Sequence, residues 1–501
     1  MERNRWYIAG VHGNPNQIVL YDPVPRGQHT MILNGVPVQE ISRQNVRSHE
    51  GATNHGWLWV YGKDGTIYWI DPTWTDNAGY VWWGVVRNGQ EEQLAPSAQY
   101  CIVAVDPNSA GFTNFNRGNA SKNMGDYDRA IAEYTEALRK DPNNADTYVS
   151  RSYAYSKNKM YDQVIEDCSA AIRIDPNNAM AYNNRGVAYN DGKGMYDRAI
   201  EDYNAAIRIN PNDAVAYRNR GTAYNNKGMY DRAIEDSNEA IRIDPNFSDA
   251  YIDRSYAYSY KRMYDQAISD CNAALRIDPN LAMAYNNRGN AYTGKGMYDR
   301  AIEDCSAALR IDPNLALAYT NRGIAYHSKG IYDRAIEDYN AVLRIDPTNA
   351  TAYSNRGIAY ADKGMYDRAI EDYNAVLRIN PNSADTHYNL GIIYNKKKMY
   401  DQAIANFSAV LRINPNYALA YYYRGVSYVL KVDYDRAITE FGAALRINPN
   451  HADSYNMRGV VYARKKWYDQ AIADYNAALR IDPNHANARK GLEAARRARG
   501  W

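Results

Sequence analysis

The chain has 501 residues, with 59 basic against 57 acidic side chains and a formal net charge of +2, so no charge bias steers it toward nucleic acid or a membrane surface. Four cysteines exclude a disulfide scaffold, and no apolar run is long enough to span a bilayer. The opening segment MERNRWYIAG lacks the apolar core of a secretory signal, which makes the cytoplasm the default location, with export open if sequence upstream of Met1 carries a signal.

Seven of the nine tryptophans precede residue 84, whereas the tyrosines concentrate further on. The change in composition predicts a first domain over residues 1–105, ending in the stretch from Ala95 to Ala110. Its pattern reads as strands: WYIAGV, then TMILNGVPVQEI with Asn34-Gly35 as a hairpin turn. Two aromatic strands follow around Lys63-Asp64-Gly65. With Gly65 left-handed in a three-residue loop, Gly62 pairs with Thr66, and His55 and Asp71 fall on the same sheet face. An imidazole oriented by a carboxylate needs that arrangement.

His55-Gly56-Trp57 followed by Asp71-Pro72-Thr73-Trp74 resembles the transglutaminase-like superfamily of cysteine peptidases and acyl transferases, over about residues 5 to 85. The resemblance implies that His55 and Asp71 are the catalytic pair and that a cysteine nucleophile lies on a helix ahead of the first strand. The first cysteine here is Cys101, so the pair stands as a remnant without its nucleophile. Either a longer protein supplies the helix, or the domain is a partial, non-catalytic module. A third reading takes both residues as ordinary polar groups in a tryptophan-rich sheet. His12, His29 and His49 lack metal-ligand spacing, and neither a metal nor a cofactor is expected.

Beyond Gly111 a proline closes a recurring phrase, RIDPN or RINPN, from Pro142 to Pro483; every step is 34 residues except one of 35 between Pro176 and Pro211. Such a period means stacked supersecondary units whose core comes from their neighbours. In the unit that begins at Ala181, Tyr182, Gly186 and Tyr189 share one helix face. Gly194 stops that helix. A second helix runs from Asp197 to Arg208 with Ala199, Tyr203 and Ala206 inward, and Pro211 prevents its continuation. Cys168, Cys271 and Cys305 occupy the column of Tyr203 and read as small buried fillers.

The aromatic, glycine, aromatic, alanine, aromatic, alanine, proline series resembles the tetratricopeptide repeat. Eleven units cover residues 111–485, and 486–501 reads as a capping helix with a solvated basic face. The expected fold is thus an all-α superhelical solenoid of helix–turn–helix repeats behind a small β-rich, partial transglutaminase-like domain. Arginine precedes the glycine (Arg185, Arg220, Arg288, Arg322) where an acid recurs in the second helix (Asp202, Asp236, Asp304, Asp338). The unit with Leu390 carries Asn406 instead, which predicts a partly buried, structural arginine–carboxylate pair in the others.

The resemblance implies that first helices line a concave surface. Two columns there are candidate contacts. One is asparagine: Asn116, Asn184, Asn219, Asn287, Asn321, Asn355 and Asn389. Their amides suit the backbone of an extended peptide, or satisfy a neighbouring repeat. The other turns aliphatic toward the C-terminus, with Ile358, Ile392 and Val426 beside Tyr388 and Tyr422. It offers an apolar partner site, or seals one first helix against the next. The columns that hold carboxylate-clamping lysines in chaperone-binding relatives hold Asn183, Arg218, Asn286 and Thr320, and Met180, Val215 and Met283, which disfavours that role. The sequence thus predicts a scaffold or adaptor that binds a protein or extended peptide, not nucleic acid or membrane, with oligomeric state open. The alternative is a cysteine acyl-transfer enzyme or peptidase, completed by an upstream nucleophile.

Overall fold

The computed structural model describes residues 112–500 and seven strands ahead of them: β1 (Ile18–Val19), β2 (Met31–Leu33), β3 (Val36–Val38), β4 (Leu58–Tyr61), β5 (Ile67–Thr75), β6 (Val81–Arg87) and β7 (Gln90–Leu94). β1, β2 and β3 form one antiparallel sheet, in which Leu33 opposite Val36 leaves Asn34-Gly35 as the two-residue connection. β4 to β7 form a second sheet in chain order. Leu58 pairs with Ile70 and Tyr61 with Ile67; Gly62 and Thr66, expected to pair next, lie outside the described residues. Asp71 belongs to β5. His55 lies outside the described residues, and so does the geometry of any pair it makes.

Twenty-three α-helices follow, from Phe112 to Arg499. The chain divides into two compact units, Met1–Asp253 and Arg254–Trp501. In each, a first helix of the repeat alternates with a second helix of 14 residues, such as Tyr196–Ile209 in the one unit and Tyr332–Ile345 in the other. The recurring proline phrase ends each second helix as an Asx turn. The Asp175 carboxylate accepts the Asn177 N–H at 3.0 Å, and the same bond recurs at Asp244–Asn246 and Asp312–Asn314. The proline between them fixes φ and needs no hydrogen-bond acceptor. The turn inside each hairpin has a left-handed residue, Gly194 at φ 61° or Gly330 at 75°. Lys398 and Val432 take the same conformation without being glycine.

The one 35-residue step has a local solution. The first helix Ala179–Val187 continues into a π-helical turn, Ala188–Gly192, because widening one turn absorbs an inserted residue without rotating the rest of the helix. Gly192 is required there: a Cβ would sit 2.2 Å from the Tyr161 ring.

Inside most hairpins a glycine of the first helix faces a ring of the second. A Cβ on Gly323 would lie 2.7 Å from Tyr339, and one on Gly391 would lie 2.6 Å from Phe407; both rings are buried. Where serine replaces the glycine, at Ser152 and Ser255, the ring is replaced by Cys168 and Cys271. The volume lost on one helix is regained on the other. Burial pushes the thiols of Cys168, Cys271 and Cys305 up to about 12, which makes them inert fillers.

The arginine–carboxylate pair forms in nine repeats, for example Arg185–Asp202, Arg322–Asp338 and Arg424–Glu440. Each of these three is bidentate through Nε and Nη2. The remaining Nη1 donates to the second helix of the preceding repeat, to Ser169 from Arg185 at 2.9 Å and to Ser306 from Arg322 at 3.0 Å. The guanidinium also stacks on a tyrosine one turn earlier, as Arg322 does on Tyr319 at 5.5 Å. One side chain therefore joins two helices of its own hairpin to the hairpin before it. Burial raises the Asp202 and Asp338 carboxyls against the pull of their arginines. The pair is thus a device for register more than a source of stability. In the ninth repeat Leu390 is buried and Asn406 Oδ1 accepts from His387 Nδ1 instead, at 2.9 Å.

Candidate functional site

The outward face of the first helices is defined by positions four and seven residues apart, which align on a helix. Met180, Asn184 and Val187 form one such row; Leu317, Asn321 and Ile324 form another; Leu419, Tyr423 and Val426 form a third. The asparagine column lies in the middle of this face.

Four of the seven asparagines bond to the preceding repeat. Asn219 Nδ2 donates to Asn183 Oδ1 at 3.0 Å, and Asn321 Nδ2 to Asn286 Oδ1 at 2.9 Å. Where the preceding position is apolar, as with Val149, the amide turns elsewhere: Asn184 donates to Ser152 Oγ at 3.5 Å. Asn287 likewise reaches Ser255 Oγ at 3.3 Å. The column is a seam between repeats at these places, and its donors are already engaged. Asn116 has a buried Oδ1 without a partner among the described residues. Asn355 and Asn389 are half-buried.

Asp253 takes the asparagine's place in the fifth repeat. Its Oδ2 accepts from Arg218 Nε at 2.6 Å and from Thr222 Oγ1 at 2.9 Å. Burial raises its carboxyl, and the Arg218 charge opposes that shift. The same seam is here made by an ion pair.

The aliphatic column is half-buried and packs against the core. Ile358 rests on a cluster that includes Ala335, Ile336 and Tyr339. Val426 rests on Phe441 and Val461, and Val460 on Ala471 and Tyr475. Ile392 is half-buried as well. Tyr388 and Tyr422 are also half-buried and belong to a chain of rings: Tyr388 lies 5.7 Å from Tyr423, which lies 5.0 Å from Tyr422.

A more exposed set includes Met180 and Val215, which the sequence reading used only to disfavour a carboxylate clamp. Met180 is 64% exposed, Val215 47%, Leu317 55% and Leu419 40%. They occupy one column, the first position of each three-residue row above. Their signal was the recurrence itself: large apolar side chains four residues ahead of the asparagine, on the same helix face, where the fold has no neighbour to cover them. Among the described residues, no helix is long and apolar enough to cross a membrane.

Comparison with protein-family models places matches along the whole helical region. The model described as TPR repeat matches residues 118–159, 193–228, 325–364 and 359–398. Models described as tetratricopeptide repeat match 145–178 and 248–281, 168–201, 214–247, 282–315 and 384–417, and 424–486. Among solved structures, the chain is similar to the APC/C hetero-tetramer Cut9–Hcn1, with 17% identity, a TM-score of 0.41, and coverage of 77% of this chain and 90% of the other. It is similar to YrrB, a TPR protein with an unusual peptide-binding site, at 27% identity and a TM-score of 0.34, over 38% of this chain and 99% of the other. It is also similar to the C-terminal part of a TPR repeat-containing protein from Cytophaga hutchinsonii, at 22% identity and a TM-score of 0.42, over 48% and 99%. Curated proteins give no significant match.

Proposed function

Since the chain belongs to the tetratricopeptide repeat family, we propose that it is a protein-interaction scaffold whose first helices hold an extended segment of a partner. The observation that carries this reading is the column of exposed apolar side chains, Met180, Val215, Leu317 and Leu419. Apolar anchors dominate affinity at such surfaces, and peripheral polar contacts are often near neutral. Met180 and Val215 belong to the first unit; in the second, Tyr388, Tyr422 and the partly accessible Ile358, Ile392 and Val426 accompany Leu317 and Leu419 on the first helices. Of the asparagines, Asn355 and Asn389 are proposed to meet the partner's backbone, and Asn184, Asn219, Asn287 and Asn321 to serve the seam first.

The test starts from peptides selected on the full-length protein from a random display library. Leu317→Asp, and Ile392→Asp with Tyr422→Ala, should each weaken the selected peptides at least tenfold in variants that stay folded, because a buried unpaired charge or a lost aromatic anchor costs roughly 2 kcal/mol or more. Asn184→Ala should change little. Binding that survives these substitutions and is lost on altering Arg334 and Glu337 of the second helix Tyr332–Ile345 would move the site to the other face.

The N-terminal segment is proposed to be a partial transglutaminase-like module, a reading supported by the pairing of β4 with β5. The 501-residue chain has no cysteine before His55 and is expected to show no acyl transfer by itself. Thiol-dependent acyl transfer by the 501-residue protein, abolished by His55→Ala, would overturn that.

A further inference from the structure

The ninth repeat departs from the pattern in a way its own hairpin does not compensate. Elsewhere the tyrosine at the start of the first helix carries an arginine over its ring: Arg356 over Tyr353 at 5.4 Å, Arg424 over Tyr421 at 5.5 Å, Arg458 over Tyr455 at 5.6 Å. In the ninth repeat that tyrosine is His387 and that arginine is Leu390. Its aromatic residue has moved one position on, to Tyr388, and the tenth repeat adds Tyr422 and Tyr423 beside it. Among the described residues, no cationic side chain lies over these rings.

The rings meet at near right angles. Tyr388 and Tyr423 are inclined by 79°, Tyr422 and Tyr423 by 78°, and Tyr422 stands 5.1 Å from the His451 ring at 72°. The floor is Phe407, 6.0 Å from Tyr388, and Phe441, 5.8 Å from Tyr422; both are fully buried. Asp385 stands in the first turn of the helix Ala384–Lys396, three residues ahead of Tyr388 and on the same face. It is exposed and has no ion-pair partner among the described residues. Asp453 follows His451 and is held by His485 Nε2 at 3.1 Å.

We propose that this cluster seats an arginine side chain of the bound segment, with Asp385 as its counter-ion, a refinement that rests on the interaction-scaffold reading above. A guanidinium is drawn to the electron-rich faces of phenol rings, most strongly where water is partly excluded. The chain itself uses this contact in most repeats, and in the ninth an exposed acid, at a position that is also aspartate in three other repeats (Asp146, Asp249 and Asp453), stands beside aromatic rings that carry no cation. Burial and the Asp453 carboxylate push the Tyr422 hydroxyl up to about 12, and burial and Asp385 raise that of Tyr417. Tyr422 therefore stays a neutral phenol with its negative face intact at physiological pH.

The experiment measures fluorescence polarisation of a labelled Gly-Ser-Arg repeat peptide on the full-length protein, beside its citrulline and lysine counterparts. The arginine peptide should bind about 5-fold tighter than the citrulline one, within the range of roughly 2- to 30-fold that a cation–ring contact gives. Tyr422→Leu should remove that preference and Tyr422→Phe keep it, since phenylalanine retains the ring face. Asp385→Asn should weaken the arginine peptide and flatten its salt dependence, whereas Glu371→Gln on a second helix should do neither. Equal affinity for the citrulline peptide, tighter binding of the lysine peptide, or the same loss from Glu371→Gln would overturn the assignment. Library-selected peptides that lose binding on Leu317→Asp but tolerate citrulline would leave the scaffold reading in place while removing this seat.

Discussion

The glycine-to-ring contact makes a sharp demand, because the same substitution should have opposite signs in two repeats. In the helix Ala214–Asn226, a Cβ on Gly221 would meet Ala233 O and Asp236 Cβ at 3.4 Å and Ser237 Oγ at 3.6 Å, which is ordinary contact. Gly221→Ala should therefore stabilise its repeat by about 0.5–1 kcal/mol, the usual gain for alanine over glycine inside a helix. In the helix Ala316–Ser328, the Cβ of Gly323→Ala would fall 2.7 Å from the Tyr339 ring, which is only 2% exposed. Overpacking of that kind costs roughly 1–3 kcal/mol, and the alanine gain of about 1 kcal/mol offsets part of it. The net loss is up to about 2 kcal/mol. Adding Tyr339→Cys copies the Ser152–Cys168 compromise, so the double variant should be at least about 1 kcal/mol better than the sum of the singles. Stacked repeats couple mainly to their neighbours and do not unfold in one step. The assay is therefore hydrogen exchange resolved by repeat. A loss of 1–2 kcal/mol lowers protection roughly 5- to 30-fold, greatest in residues 316–345 and the adjoining hairpins. Gly323→Ala that stabilises as Gly221→Ala does, or a uniform loss of protection from residue 111 to 485, would refute the account.

Val432 holds a β-branched side chain at φ 64°, so Val432→Gly should stabilise the tenth repeat by about 1 kcal/mol, the left-handed strain less the entropy of glycine; a lower midpoint for that repeat would count against it. Arg322→Met leaves Asp338 buried and unpaired and should cost about 3–5 kcal/mol, whereas Arg322→Leu with Asp338→Asn, the natural pairing of Leu390 with Asn406, should come within about 1–2 kcal/mol of the parent. A double variant no better than the single would deny the pair its coupling. Burial lifts the Tyr475 hydroxyl to about 12 and that of Tyr203 further. For an acid whose folded value is raised, stability is complete below the unfolded value of about 10 and falls as pH rises past it toward the folded one. Absorbance titration should show surface tyrosines ionising near pH 10 and a second step near 12 that coincides with loss of helix; a single step would contradict the burial.

The hairpin core was legible because its signals are local and periodic. Gly323 with Tyr339, the proline phrase and the Gly194 turn each act within one unit, and the 34-residue step aligns them. The arginine pair was legible from one joint exception, Leu390 with Asn406. The asparagine column was not, because recurrence shows that an amide is wanted without showing what it bonds. Asn219 finds Asn183 and Asn184 finds Ser152, and the choice depends on whether the residue in the preceding repeat is polar or, like Val149, apolar. That contact lies a full repeat away in sequence. Leu317 and Leu419 were missed for the opposite reason: large apolar residues in an amphipathic helix are expected inside, and only the fold shows that nothing covers these.

A repeat array offers its own control for separating packing from function. Ser152 breaks the glycine rule, but Cys168 restores the volume inside the same hairpin; Asp253 breaks the asparagine rule, but Arg218 restores the bond across the same seam. Such departures are balanced by a neighbour and need no ligand to explain them. In the ninth repeat the loss of the arginine is balanced on the core side, where Leu390 is buried and Asn406 meets His387. On the outward side Tyr388 and Asp385 remain without a cation, although the other repeats show how readily this chain places one over a tyrosine. Tyr388 is repaid in packing against Phe407 and the Val410, Leu411 and Ala420 cluster, whereas the Asp385 charge has no partner among the described residues. On the proposed reading the missing cation comes from a partner lying along the outward face of the first helices.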